Sequence, residues 1–176
     1  MVDNKTQPKI TRRKFLANTG MFVAGSFVMS AMDCISTPES KIENKTERKK
    51  MKKIISTKKA PGAIGPYSQA VLVNGFLYTS GQIAINPESG ELVLDTIQHE
   101  THQVMKNLEA LLTEAGADFS HVVKTSIFLQ SMQDFQAVNE VYASYFNADF
   151  PARETVEVGG LPKGVNVEIS MIAVVE

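Results

Sequence analysis

Two charged side chains stand out between Phe150 and Ser170, in FPARETVEVGGLPKGVNVEIS. Arg153 follows Pro151 and Ala152, and Glu168 sits inside a run from Val165 to Val174 that otherwise reads as an apolar strand. A charge in such a run is costly unless it is paired or used. Arginine offers a rigid fork of donors that matches a carboxylate or phosphate. A half-buried glutamate can have a raised pKa and serve as acid or base. Spacing alone leaves two readings open: the two charges pair with each other, or they serve a ligand. Tyr67, behind Gly65-Pro66, is either a polar handle on a constrained turn or a packed aromatic.

Other chemistries find no support. His99 and His102 miss the i, i+4 spacing of a helical zinc site, and His121 is the only other histidine. They read as part of a solvated helix face, and no metal site is expected. No phosphate-binding loop or dinucleotide fingerprint is present, and Ser80-Gly81-Gln82 is not a nucleophile elbow. The single cysteine, Cys34, allows no intramolecular disulfide.

These residues need a scaffold. Ile54–Ser56 reads as a short strand. Ser68–Val73 and Phe76–Ser80 flank Asn74-Gly75, a dipeptide that favours a type I′ hairpin turn. Gly81–Ile85 continues extended into the NPESG turn. Ile97, Val104, Leu108, Leu111 and Leu112 share a helical face, with Asp95 and Gln98 as an expected capping box and Gly116 as the stop. A buried-strand pattern covers His121–Gln130. Phe135, Val138, Val141, Tyr142 and Phe146 mark a second helix, and Glu154–Val158 and Val165–Val175 are the last strands. The order ββ(β)αβαββ is that of an α+β domain, one mixed sheet with two helices packed on one face. The other face would be left apolar and bare, which implies a partner subunit.

Charge divides the chain. Residues 1–50 hold ten Lys/Arg against five Asp/Glu, a net of +5, and residues 51–176 hold eight against fourteen, a net of −6. The acidic part is where the fold is expected, and its charge opposes nucleic-acid binding. Residues 1–34 resemble a twin-arginine export signal: Arg12-Arg13-Lys14-Phe15-Leu16, then the uncharged run Met21–Met32, too short to span a bilayer. Cys34 follows at a candidate lipid-anchor position, although Asp33 departs from the small residue usual before one. Residues 35–50 read as a polar linker. Met51 could start a shorter chain, so the expectation is export to the periplasm from Met1, or a cytoplasmic protein from Met51.

GPYSQA (65–70), SGQIAINPESG (80–90), PARETVEV (151–158) and LPKGVNVEISMIAV (161–174) closely resemble the reactive intermediate deaminase family, RidA or YjgF. The resemblance spans residues 52–175. It implies a chorismate-mutase-like fold, a homotrimer with sheets inside and helices outside, and active sites in clefts between subunits. It implies hydrolysis of small enamine and imine acids, such as 2-iminobutanoate and 2-iminopropanoate, to 2-keto acids and ammonia, with no cofactor. It also implies roles: Arg153 for the substrate carboxylate, Glu168 for orienting or activating water, Tyr67 in the pocket, Gly81 and the adjacent Ser80 at the substrate, Asn139 lining the cleft. Where many members carry a cysteine two residues after the arginine, this chain has Thr155. Its hydroxyl could bond the imine nitrogen or water, and no thiol switch can operate there. Arg153 and Glu168 would then face one cleft with the substrate between them. The alternative is a non-catalytic ligand-binding or holdase-type trimer of the same fold.

Overall fold

The structure is a computed structural model and describes residues 52–175. The expected leader (1–34), the linker (35–50) and Cys34 lie outside the described residues.

Six strands form one sheet: β1 (Lys53–Ile55), β2 (Ala70–Val73), β3 (Phe76–Thr79), β4 (Val122–Leu129), β5 (Ala152–Glu157) and β6 (Val167–Val174), in the order β1-β2-β3-β6-β4-β5. β4 and β5 pair in parallel and every other neighbour is antiparallel. Asn74 and Gly75 both take positive φ, 53° and 78°, the backbone that an Asn-Gly hairpin requires. Gly81–Ile85 is extended as expected but is tied to the sheet by a single bridge, Gln82 to Ile169.

Helix α1 (Ile97–Ala115) buries Val104, Met105, Leu108, Leu111 and Leu112, and helix α2 (Phe135–Ala143) buries Val138, Val141 and Tyr142. Both pack on one face, against Val167, Ile169, Met171 and Ala173 of β6 and Ile127 and Leu129 of β4. Truncating any of the fully buried leucines to alanine would cost about 2–5 kcal/mol. The expected cap of α1 is corrected: Thr96, not Asp95, is the N-cap, its Oγ1 accepting from His99 N at 3.1 Å. Asp95 instead meets His99 Nδ1 at 2.5 Å. Both residue types cap well, so the adjacent pair left the boundary open by one position. Gly116 ends α1 with φ 84°.

The opposite face has no helix. There Phe76, Tyr78 and Val174 are exposed, with Ile172 half-buried, because they alternate with the buried Leu77, Met171 and Ala173.

Candidate active site

Glu168 follows the buried Val167 and precedes the buried Ile169, so its side chain rises from the bare face of β6. It lines a cleft of about 270 Å³ with Tyr67, Ser80, Gly81, Ile64 and Ile83. Burial among these groups pushes its carboxyl above the ordinary glutamate range. Gly81 makes room for it: a Cβ built there would lie on the carboxylate, 2.7 Å from Cδ. Ser80 is spent on structure, its Oγ donating to Ser68 O at 2.7 Å and its N to Gln69 O at 3.0 Å. Tyr67 caps its own turn: its N donates to Gly65 O at 2.8 Å and its hydroxyl accepts from Ile64 N at 3.2 Å.

Arg153 occupies a different place. It lies on β5 in register with Thr125, whose Oγ1 accepts from the Tyr142 hydroxyl of α2 at 3.1 Å, so it points to the helix side. Its Nη1 donates to Asn139 Oδ1 at 2.8 Å. Its guanidinium carbon stands 5.0 Å from the Tyr142 ring centroid and 5.8 Å from that of Phe135. Thr155 follows on the same side, in register with Ile127. The described ion pairs are His99–Asp95, His121–Asp118 and Lys124–Glu154, and Arg153 is in none of them.

Within a single chain Arg153 and Glu168 do not share a cleft, because alternation puts them on opposite faces of the sheet with β4 between their strands. Nor do they form the ion pair that spacing left open. The candidate residues fall into two groups: Glu168, Tyr67, Ser80 and Gly81 in one, Arg153, Asn139 and Thr155 in the other. Among the described residues no group of His, Cys, Asp and Glu is placed to hold a metal.

Three buried polar residues that position the first group were missed from the sequence. Gln69 Oε1 accepts from Thr57 N at 2.8 Å, while its Nε2 donates to the carbonyls of Thr57, Ala60 and Pro61 at 3.0, 3.1 and 2.7 Å. It pins the segment that leads to Tyr67. Asn107 Nδ2 donates to the carbonyls of Ile83 and Ile85, both at 3.0 Å, fixing the stretch after Gly81. Glu100, fully buried, accepts from Asn166 N at 2.7 Å, Asn166 Nδ2 at 2.8 Å and Val167 N at 3.2 Å, anchoring the start of β6 just before Glu168. A signal existed: Asn107 interrupts the apolar stripe of α1 between Val104 and Leu111, where an unused amide would be expensive.

Comparison with known proteins agrees with this fold. A human protein named 2-iminobutanoate/2-iminopropanoate deaminase is 50% identical over 124 residues, 70% of this chain and 90% of that one. A Lactococcus lactis protein carrying the name of a regulator, AldR, is 53% identical over 70% of this chain and 98% of its own length. A Yersinia pestis structure titled as a protein of unknown function of the conserved Rid family superposes with a TM-score of 0.70 at 53% identity, covering 71% of this chain and all of that one. The family model described as Endoribonuclease L-PSP matches residues 57–175, and the chain belongs to that family, the YjgF/RidA proteins.

Proposed function

We propose that this protein hydrolyses small reactive imine and enamine acids to 2-keto acids and ammonia. The observation that carries the reading is Arg153. It is partly exposed on an edge strand, steadied by two rings and one amide, and paired with no carboxylate of the described residues. With Nη1 given to Asn139, the Nε–Nη2 edge remains for a substrate carboxylate, a bidentate match. Relatives at about 50% identity that are named as imine deaminases support it.

The finer statement is that the protein is a chorismate-mutase-like homotrimer whose active sites form between subunits. Two observations support this: the bare apolar face with Phe76, Tyr78 and Val174, and the separation of the two groups. A neighbouring copy would bring its Arg153 to the cleft that holds Glu168.

The chemistry then follows from positioning and one base. Arg153 holds the carboxylate, and the protonated imine carbon sits over a water. Glu168 takes a proton as the water oxygen bonds to C2, giving a carbinolamine. Glu168 returns that proton to nitrogen, the C–N bond breaks, and the hydroxyl proton leaves with ammonia as ammonium. Tyr67 and Gly81 would border the reacting atoms, and Thr155 would bond the nitrogen or the water.

The test couples a threonine dehydratase to semicarbazide capture. The wild-type chain should suppress semicarbazone formation by speeding keto-acid release, and Arg153→Ala should not. A wild-type chain without effect on several imines would move the non-catalytic ligand-binding reading forward, to which the regulator name of the Lactococcus relative is the pointer.

For the leader we propose twin-arginine export, on the order of Arg12-Arg13 and the uncharged Met21–Met32 run. Cell fractionation checks it: replacing both arginines with lysine should retain the protein in the cytoplasm.

A further inference from the structure

Phe135, Asn139 and Tyr142 occupy positions i, i+4 and i+7 of α2 and therefore form one stripe along the helix. All three reach Arg153. Asn139 takes a hydrogen bond from Nη1, and the two rings stand 5.8 and 5.0 Å from the guanidinium carbon. Tyr142 is buried and would be needed for the core in any case, since it also bonds Thr125. Phe135 is different. It is 37% exposed and lies outside the buried apolar cluster, so packing alone does not account for an aromatic ring at the start of this helix.

We propose that Phe135 is a positioning residue for Arg153. An arginine on an edge strand samples many rotamers, and each must be given up when a carboxylate binds. A ring beside the guanidinium restricts that sampling before the ligand arrives. A ring face is attracted to a cation over about 6 Å, whereas an aliphatic side chain of similar size is not. The stripe on α2 thus acts as a cradle: Asn139 fixes one nitrogen, and the buried Tyr142 ring and the partly exposed Phe135 ring both stand within 6 Å of the guanidinium carbon. The consequence is affinity for the carboxylate, not the rate of the chemical step, because Phe135 stands beside Arg153, which holds the carboxylate, and is not among the residues that line the Glu168 cleft of its own chain.

This inference rests on Arg153 being the carboxylate-binding group, and the experiment separates the two. The full chain and its Phe135→Leu, Phe135→Tyr and Arg153→Ala variants are compared for KM and kcat in imine turnover, for Kd of 2-oxobutanoate by calorimetry, and for Tm. Phe135→Leu should raise both KM and Kd about two- to fivefold, with kcat and Tm close to wild type. Phe135→Tyr, which keeps a ring face, should restore both. A wild-type KM and Kd in Phe135→Leu overturns the positioning role, as does a joint fall of kcat and Tm, or failure of Phe135→Tyr to restore affinity. Wild-type behaviour of Arg153→Ala would overturn the carboxylate reading itself. Loss in Arg153→Ala with no change in Phe135→Leu overturns only the role of the ring.

Discussion

Arg153 and Glu168 lie on opposite faces of one sheet, on strands β5 and β6, with β4 between them. A three- or four-carbon acid cannot touch both groups of one chain. If both act on one substrate, they come from two copies.

That relationship makes a mixing experiment decisive. Arg153→Ala and Glu168→Gln should each be inactive as pure proteins. Unfolded together in equal amounts and refolded, they should regain about a quarter of wild-type activity, because in a closed ring each subunit pair then unites an intact arginine with an intact glutamate one time in four. No recovery would overturn the shared-site proposal.

Gly81 gives a second prediction. An added Cβ would displace the Glu168 carboxylate, whose Cδ and Cγ would lie 2.7 and 2.9 Å from it, and the three atoms nearest to that position all belong to this one side chain. Gly81→Ala should therefore lower kcat about 100-fold, as a displacement of about 1 Å of a catalytic group can, while Tm falls little. Since Gly81 has no positive φ, no backbone strain is added. Equal activity in the variant would show that the carboxylate's present position is not the working one.

The raised pKa of Glu168 has two pH consequences. As a base it must be ionised, so the acid limb of the kcat/KM profile should sit above the ordinary glutamate range. For stability the sign is the reverse of the usual carboxylate case. The folded state holds the proton more tightly than the unfolded one, so the carboxyl favours folding below its unfolded pKa. That contribution is lost as pH rises through the folded pKa. Glu168→Gln should thus melt higher than wild type at neutral pH and equal to it in acid, while losing activity. Denaturation curves at both pH values check this.

The corrected cap of α1 is tested at two adjacent positions. Thr96→Ala removes the oxygen that accepts from His99 N and should cost about 1 kcal/mol. Asp95→Ala touches only an exposed pair with His99 and should cost less. Urea denaturation of the two variants distinguishes them, and the opposite ranking would return the cap to Asp95.

Much of the fold was legible in order and type because it is local. Period-2 and period-3.6 patterning identified the strands and both helices, Asn74-Gly75 its turn, and Gly116 the stop. The candidate residues were legible one by one, as charges or polar groups in places where they cost energy unless used. What tertiary structure decided was their arrangement. A strand residue's face depends on its phase against its neighbours. The faces of Arg153 and Glu168 can be compared only once β4 has set the register of both β5 and β6, through the pairings of Thr125 with Arg153 and Phe128 with Glu168, 28 and 40 residues apart in the chain. The same holds for Gln69, Asn107 and Glu100. Each of them bonds backbone groups 8 to 67 residues away, brought within hydrogen-bond reach only by the packed fold. Sequence alone thus names the candidate groups, while long-range register and buried hydrogen bonds decide that one chain places them on opposite faces of its sheet.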